Sequence, residues 1–111
     1  MIRADFYRRA GSLVAFSVRG HSGLASAGYD IVCAAVSALT QGALIGLEEV
    51  IGINISADIN EVDGRLECRL PEDLSPKQRR EADVVLETLL RSLRSVEAGY
   101  GDAVRVREHR S

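Results

Sequence analysis

The run Ile2-Arg3-Ala4-Asp5-Phe6-Tyr7-Arg8-Arg9-Ala10-Gly11-Ser12-Leu13-Val14-Ala15-Phe16-Ser17-Val18-Arg19 decides how the chain begins to fold. Ile2, Ala4 and Phe6 alternate with Arg3, Asp5 and Tyr7, the two-residue period of a half-buried strand over residues 2–8. Ala10-Gly11-Ser12 reads as a turn. Alternation resumes over 13–19, with Leu13, Ala15 and Ser17 on one face and Val14, Phe16 and Val18 on the other. Two such runs across so short a turn pair as an antiparallel hairpin.

A second hairpin is expected further along. Ile51, Ile53, Ile55, Ala57 and Ile59 alternate with glycine and polar residues and predict one long strand over 51–62. Asp63-Gly64 makes a two-residue turn, whose central positions need positive φ. Residues 65–70 return, with Leu66, Cys68 and Leu70 on one face. Between the hairpins, Asp30 is a candidate N-cap for a helix reaching about Val50. That helix is apolar on nearly all sides and is expected to be buried. Its Ala34, Ala38, Gly42 and Gly46 form a ridge of small side chains that lets a neighbour approach closely. Ser75-Pro76-Lys77-Gln78 opens a second helix, with a capping box and a proline at the first helical position. Ala82, Val85, Leu86, Leu89, Leu90, Leu93 and Val96 are its apolar stripe. Glu87 and Arg91 are expected to pair on its exposed face, and Gly99 to close it. Residues 103–108 form a last strand with Val104 and Val106 inward. The order β-β-α-β-β-α-β predicts a single α+β domain over residues 1–111, a mostly antiparallel sheet packed with two helices.

Composition fits one domain: 111 residues, 46% of them apolar. Fourteen basic residues against sixteen acidic ones give a net charge of −2. That balance creates no bulk attraction to nucleic acid or anionic lipid, so neither direct nucleic-acid binding nor a membrane partner is expected. The chain does not open with a basic segment and an apolar run, and the apolar stretch 31–47 is shorter than the ~20 residues of a bilayer span. A cytoplasmic protein with reduced thiols at Cys33 and Cys68 is expected.

The residues capable of chemistry are few. His21 opens the stretch Gly20-His21-Ser22-Gly23-Leu24-Ala25-Ser26-Ala27-Gly28, which has three glycines and no period and reads as a mobile loop. With Asp30 as the cap, Cys33 takes the third helical position. Unpaired N–H groups and the positive end of the helix dipole there stabilise a thiolate nucleophile. A histidine within reach would hold that thiolate as an ion pair or carry its proton. The competing reading makes Cys33 a small space-filling residue ahead of Ala34-Ala35-Val36.

The segment Gly20-His21, followed by Ala27-Gly28-Tyr29-Asp30-Ile31-Val32-Cys33-Ala34-Ala35-Val36-Ser37, resembles the bacterial ribosomal-processing cysteine protease family, Prp. The resemblance implies a small α+β homodimer and a cysteine endopeptidase. It implies a substrate as well: an N-terminal extension on a large-subunit ribosomal protein, removed to expose the mature end. The family's nucleophile falls on Cys33, its histidine on His21, its motif aspartate on Asp30 and its motif serine on Ser37. On this reading Cys33 attacks the scissile carbonyl, and His21 activates the thiol and protonates the leaving amine. Asp30 either orients His21 or caps the helix, and Ser37 either hydrogen-bonds near the site or bonds back to its own helix. Backbone N–H groups around Cys33 would form the oxyanion hole. Gly20, Ser22, Gly23 and Gly28 would form a loop that orders over a peptide, or the glycines only permit the turn.

Cys68 reads as a core thiol and His109 as a solvated residue near the chain end. A zinc set of His21, Cys33, Cys68 and His109 lacks short paired spacing, so no metal or other cofactor is expected. Arg105, Arg107 and Arg110 could touch phosphate near ribosomal RNA, but a solvated charge stripe on an edge strand, which deters strand-to-strand aggregation, is the favoured reading. Two rival functions are a ribosome-associated module that grips the extension without cutting it, and a redox switch pairing Cys33 with Cys68.

Overall fold

A computed structural model describes residues 1–20, 27–60, 62 and 64–111, with backbone only at 27–30. The first hairpin forms as expected. β1 (Ile2–Arg9) and β2 (Ser12–Arg19) pair antiparallel across a turn in which Ala10 and Gly11 both have positive φ, 52° and 86°. The pairing shifts between Tyr7, opposite Ala15, and Arg8, opposite Leu13, which leaves Val14 as an extra residue. Such a bulge reverses the alternation beyond it. Leu13 therefore joins Phe16 and Val18 in the core, and the uninterrupted two-face pattern expected for 13–19 does not hold.

α1 spans Ala27–Ile45 and runs into a π-helical turn, Gly46–Val50. The helix begins three residues before Asp30, so Asp30 is its fourth residue and not its N-cap, and Gly28 belongs to the helix. After the π turn, the expected long strand is replaced by a short tight segment. Leu47 and Ile53 both point into the core, the Ile53 N–H donates to the Leu47 carbonyl at 2.9 Å, and Gly52 between them adopts φ +84°. Only Ser56–Asn60 forms β3, which pairs with β4 (Arg65–Arg69). Gly64 has the positive φ expected of the hairpin turn. Its neighbour Asp63 lies outside the described residues.

α2 (Pro76–Gly99) starts on the expected capping box: the Gln78 N–H donates to Ser75 Oγ at 3.1 Å, and the Gln78 side chain accepts the Ser75 N–H at 3.3 Å. Tyr100 follows as the C-cap, so Gly99 is the last helical residue and not the closing one. β5 (Val104–Arg110) then lies parallel to β1. The sheet order is β3-β4-β2-β1-β5, with one parallel pair among antiparallel ones. Both helices lie on one face. Their Val32, Val36, Leu86, Leu89 and Leu93 meet Ile2, Ala4, Phe6, Val104 and Val106 of the sheet. Glu87 also faces the sheet. It accepts from Arg8, where the sequence suggested Arg91, because β1 and β5 bring Arg8 and Glu108 under α2.

α1 is not buried on all sides. Val32, Val36, Thr40, Ala43 and Leu47 face inward, whereas Ile31, Ile45 and Val50 are 63%, 51% and 79% exposed. By length and composition alone Ile31–Val50 is long enough to cross a bilayer, contrary to the shorter stretch read from the sequence. In this fold it packs on α2, with Gly46 Cα close enough to α2 that a Cβ would meet Val85 at 3.6 Å. Of the expected small-residue ridge only Gly46 makes this close approach: Ala34, Ala38 and Gly42 are exposed, and a Cβ at Gly42 would meet nothing within 4 Å.

Candidate active site

β2 ends at Arg19, and Gly20 turns the chain away with φ +100° while its N–H donates to the Gly64 carbonyl at 3.1 Å. A Cβ at Gly20 would sit 2.2 Å from the Met1 carbonyl oxygen, so only glycine fits beside β1 here. His21, Ser22 and Gly23 lie outside the described residues, as does the side chain of Asp30.

Cys33 is half-buried on α1 and carries a free thiol. It lines a groove of about 330 Å³ between α1 and the sheet. Ile2, Val18, Val36, Ile59 and Leu66 provide apolar walls, and Gly20 closes one end. Ser37, Thr40 and Gln41 line the α1 side. Relative to Cys33 they stand at i+4, i+7 and i+8, so they share its helix face. Thr40 and Gln41 were not singled out from the sequence, although a polar set at this spacing in an apolar helix was the available signal. Nor were Ile59 and Leu66, whose place in the groove depends on how β3 and β4 pair.

Ser37 is exposed, and its Oγ accepts from Gln41 Nε2 at 2.9 Å. The bond back to helix backbone belongs instead to Thr40, whose hydroxyl donates to the Val36 carbonyl at 2.9 Å. The earlier start of α1 changes the backbone chemistry around Cys33. The unpaired N–H groups of a helix are those of its first four residues, here 27–30. Cys33 is the seventh residue, inside the hydrogen-bonded ladder, so its own N–H is not a free oxyanion donor.

The other ligand-type residues lie elsewhere. Cys68, on β4, is 2% exposed, and burial, followed by the charge of Glu48, pushes its thiol up to about 12. His109 is not simply solvated. Its Nε2 lies 2.7 Å from Asp5 Oδ1, and its ring stacks on Tyr7 at 4.9 Å, because the parallel β1–β5 register puts Tyr7 beside it.

A half-buried cysteine on the first helix of a two-layer α+β domain, opening into a largely apolar groove, offers a nucleophile beside room for a peptide, as a thiol peptidase requires. Residues 1–105 match the model of the family described as cysteine protease Prp, and the chain belongs to that family. It is a cysteine peptidase. The ribosomal processing cysteine protease Prp of Bacillus subtilis (strain 168) is 34% identical over 94 residues, covering 85% of this chain and 84% of that one. A Streptococcus mutans protein of known crystal structure superposes with a TM-score of 0.88 at 28% identity, over 100% of this chain and 96% of that one. Staphylococcus aureus Prp, crystallised with a substrate peptide, shares the fold at 24% identity, with a TM-score of 0.86 over 98% of this chain and all of that one.

Proposed function

We propose that the protein is an endopeptidase that removes an N-terminal extension from a bacterial large-subunit ribosomal protein, using Cys33 and His21. The observation that carries this reading is the groove that joins Cys33, Ser37 and Gly20 to an apolar wall of Ile2, Val18, Ile59 and Leu66. It suits an extended peptide with apolar side chains near the cut. His21 takes the thiol proton, and the Cys33 sulfur adds to the scissile carbonyl. The tetrahedral intermediate collapses with cleavage of the C–N bond, and His21 delivers its proton to the leaving amine. Water, deprotonated by the same imidazole, then hydrolyses the thioester and restores the thiol. Asp30, no longer a cap, orients the His21 ring, and Ser37 hydrogen-bonds substrate beside the nucleophile. No metal or other cofactor takes part in any of these steps.

The protein acts as a homodimer in the cytoplasm. The exposed Ile31, Ile45 and Val50, together with Val84 on α2, support pairing through the helical layer, because exposed apolar clusters mark association sites. Sedimentation at micromolar concentration should give twice the chain mass.

The central test is a synthetic peptide spanning the extension junction, incubated with the protein and followed by mass spectrometry. Cleavage at one bond is expected, and both Cys33→Ala and His21→Ala should abolish it. Binding with no mass change would favour the gripping module instead.

A further inference from the structure

The helices cover one face of the sheet, and among the described residues no element packs on the opposite face. Register places Arg65 of β4, Arg19 of β2, Arg3 of β1 and Arg105 of β5 side by side in one row across four adjacent strands. At the usual strand spacing the row is about 14 Å long. Arg107 lies on the same face in the next row, beside Asp5, and Arg69 in the row beyond, level with Tyr7. Directly opposed like charges weaken a sheet, so pairing energy does not account for this row.

Among the described residues three carboxylates share the face, and each is already engaged. Asp5 lies against His109, and Asp58 and Glu67 against Arg65. Arg3, Arg19, Arg69, Arg105 and Arg107 form no ion pair among the described residues. The fold thus concentrates positive charge on one surface of a chain whose net charge is −2.

Next to the row, Ala15 and Ser17 are small enough to leave a hollow of about 230 Å³, bordered by Tyr7, Asp58, Glu67 and Arg69. Tyr7 is 40% exposed and backed by the stacked His109. A bare sheet with an aromatic platform beside unpaired arginines is how proteins hold single strands, through base stacking and phosphate contacts.

We propose that this helix-free face binds single-stranded RNA, with phosphates along the unpaired Arg19, Arg3 and Arg105 and a base stacked on Tyr7 over the hollow. This replaces the expectation, drawn from net charge, that no nucleic acid is contacted. Arg65 also borders the Cys33 groove, so bound RNA would run from the edge of the peptide site. The proposal does not depend on which peptide is cut.

The test is fluorescence anisotropy of the full-length protein with a short labelled single-stranded oligouridylate over a range of salt concentrations. The wild type should bind, with affinity falling as salt rises. The double variant Arg3→Ala/Arg19→Ala should bind at least about tenfold more weakly and lower the log–log salt slope by about 1.4, two phosphate contacts on a single strand. Tyr7→Ala should weaken binding by about tenfold with the slope unchanged, the signature of lost stacking. Lys77→Ala, on α2, should bind as the wild type does. Circular dichroism and cleavage of the isolated peptide verify that each variant is folded. Absence of binding, or wild-type affinity in the arginine double variant, overturns the proposal. So does a polyglutamate peptide that binds as tightly through the same arginines with no effect of Tyr7→Ala, because the face would then serve an acidic polypeptide.

Discussion

Gly20 sits so close to Met1 that a methyl group on its Cα would lie 2.2 Å from the Met1 carbonyl oxygen, with a backbone φ of +100°. Both constraints fall on the residue that hands the chain to His21. Gly20→Ala must therefore move the end of β2 or the start of β1. We expect a loss of about 2 kcal/mol or more, from the left-handed backbone and the clash together. Thermal unfolding should shift down by several degrees. Peptide cleavage should fall further than stability explains at temperatures where the variant is folded. A variant with wild-type melting and cleavage would show that the turn tolerates a side chain and does not position His21.

The two cysteines should differ sharply in reactivity. Cys33 opens into the groove, whereas Cys68 is 2% exposed and its thiol is pushed up to about 12. Only the thiolate is alkylated, so near neutral pH iodoacetamide should modify Cys33 and silence cleavage while Cys68 stays intact until the protein unfolds. Mass mapping of the alkylated peptides checks this. Equal labelling of the two sites in the folded protein would contradict the placement of Cys68. The same burial disfavours the redox switch, since an oxidant reaches Cys68 poorly.

How far these features were legible beforehand depends on how local their causes are. The first hairpin and the α2 capping box follow from adjacent residues, and both were read correctly apart from the Val14 bulge. The 51–62 segment was misread because its isoleucines alternate as in a strand. What overrides them is the anchoring of Leu47 and Ile53 in a core whose other side is α2 and the sheet. His109 looked solvated because Asp5 is 104 residues away, and only the parallel closure of β5 on β1 joins them. The motif around Cys33 was visible, but the groove's other wall, Ile59 and Leu66, exists only once β3 and β4 pair. The arginine row is a product of register across four strands, which whole-chain charge hides.

A third expectation concerns acid. The Arg8 guanidinium donates to Glu87 and to Glu108, the latter at 2.9 Å, and Arg94 adds a second bond to Glu108 at 2.8 Å. Hydrogen bonds from Arg8 hold both carboxyls below the usual carboxylate range, with Arg94 contributing at Glu108. Groups with depressed folded values stabilise the protein above their unfolded pKa, about 4.3, and that stabilisation is lost as pH falls through the folded values. Urea midpoints should therefore be flat from neutrality to about pH 5 and drop below it. Glu87→Gln should lower the unfolding free energy at neutral pH by about 1 kcal/mol and make the acid limb shallower. An acid limb identical in Glu87→Gln and wild type would remove Glu87 from the linkage.

Ser37 and Thr40 offer the finest discrimination, because both hydroxyls line the groove and only one is committed to the helix. Thr40 donates to the Val36 carbonyl in a buried position, whereas Ser37 Oγ accepts from Gln41 and keeps its own proton to donate toward a substrate. Ser37→Ala should leave the melting temperature within the small range typical of exposed substitutions. It should nevertheless lower kcat/KM by about tenfold, the effect of one lost hydrogen bond in the transition state. Thr40→Val should do the reverse, destabilising by about 1 kcal/mol through the lost hydroxyl bond while changing cleavage little. Steady-state kinetics on the junction peptide, paired with thermal melts of the same samples, separate the two. If Ser37→Ala cleaves at the wild-type rate, Ser37 holds only Gln41, and the recognition assigned to it passes to other groups in the groove.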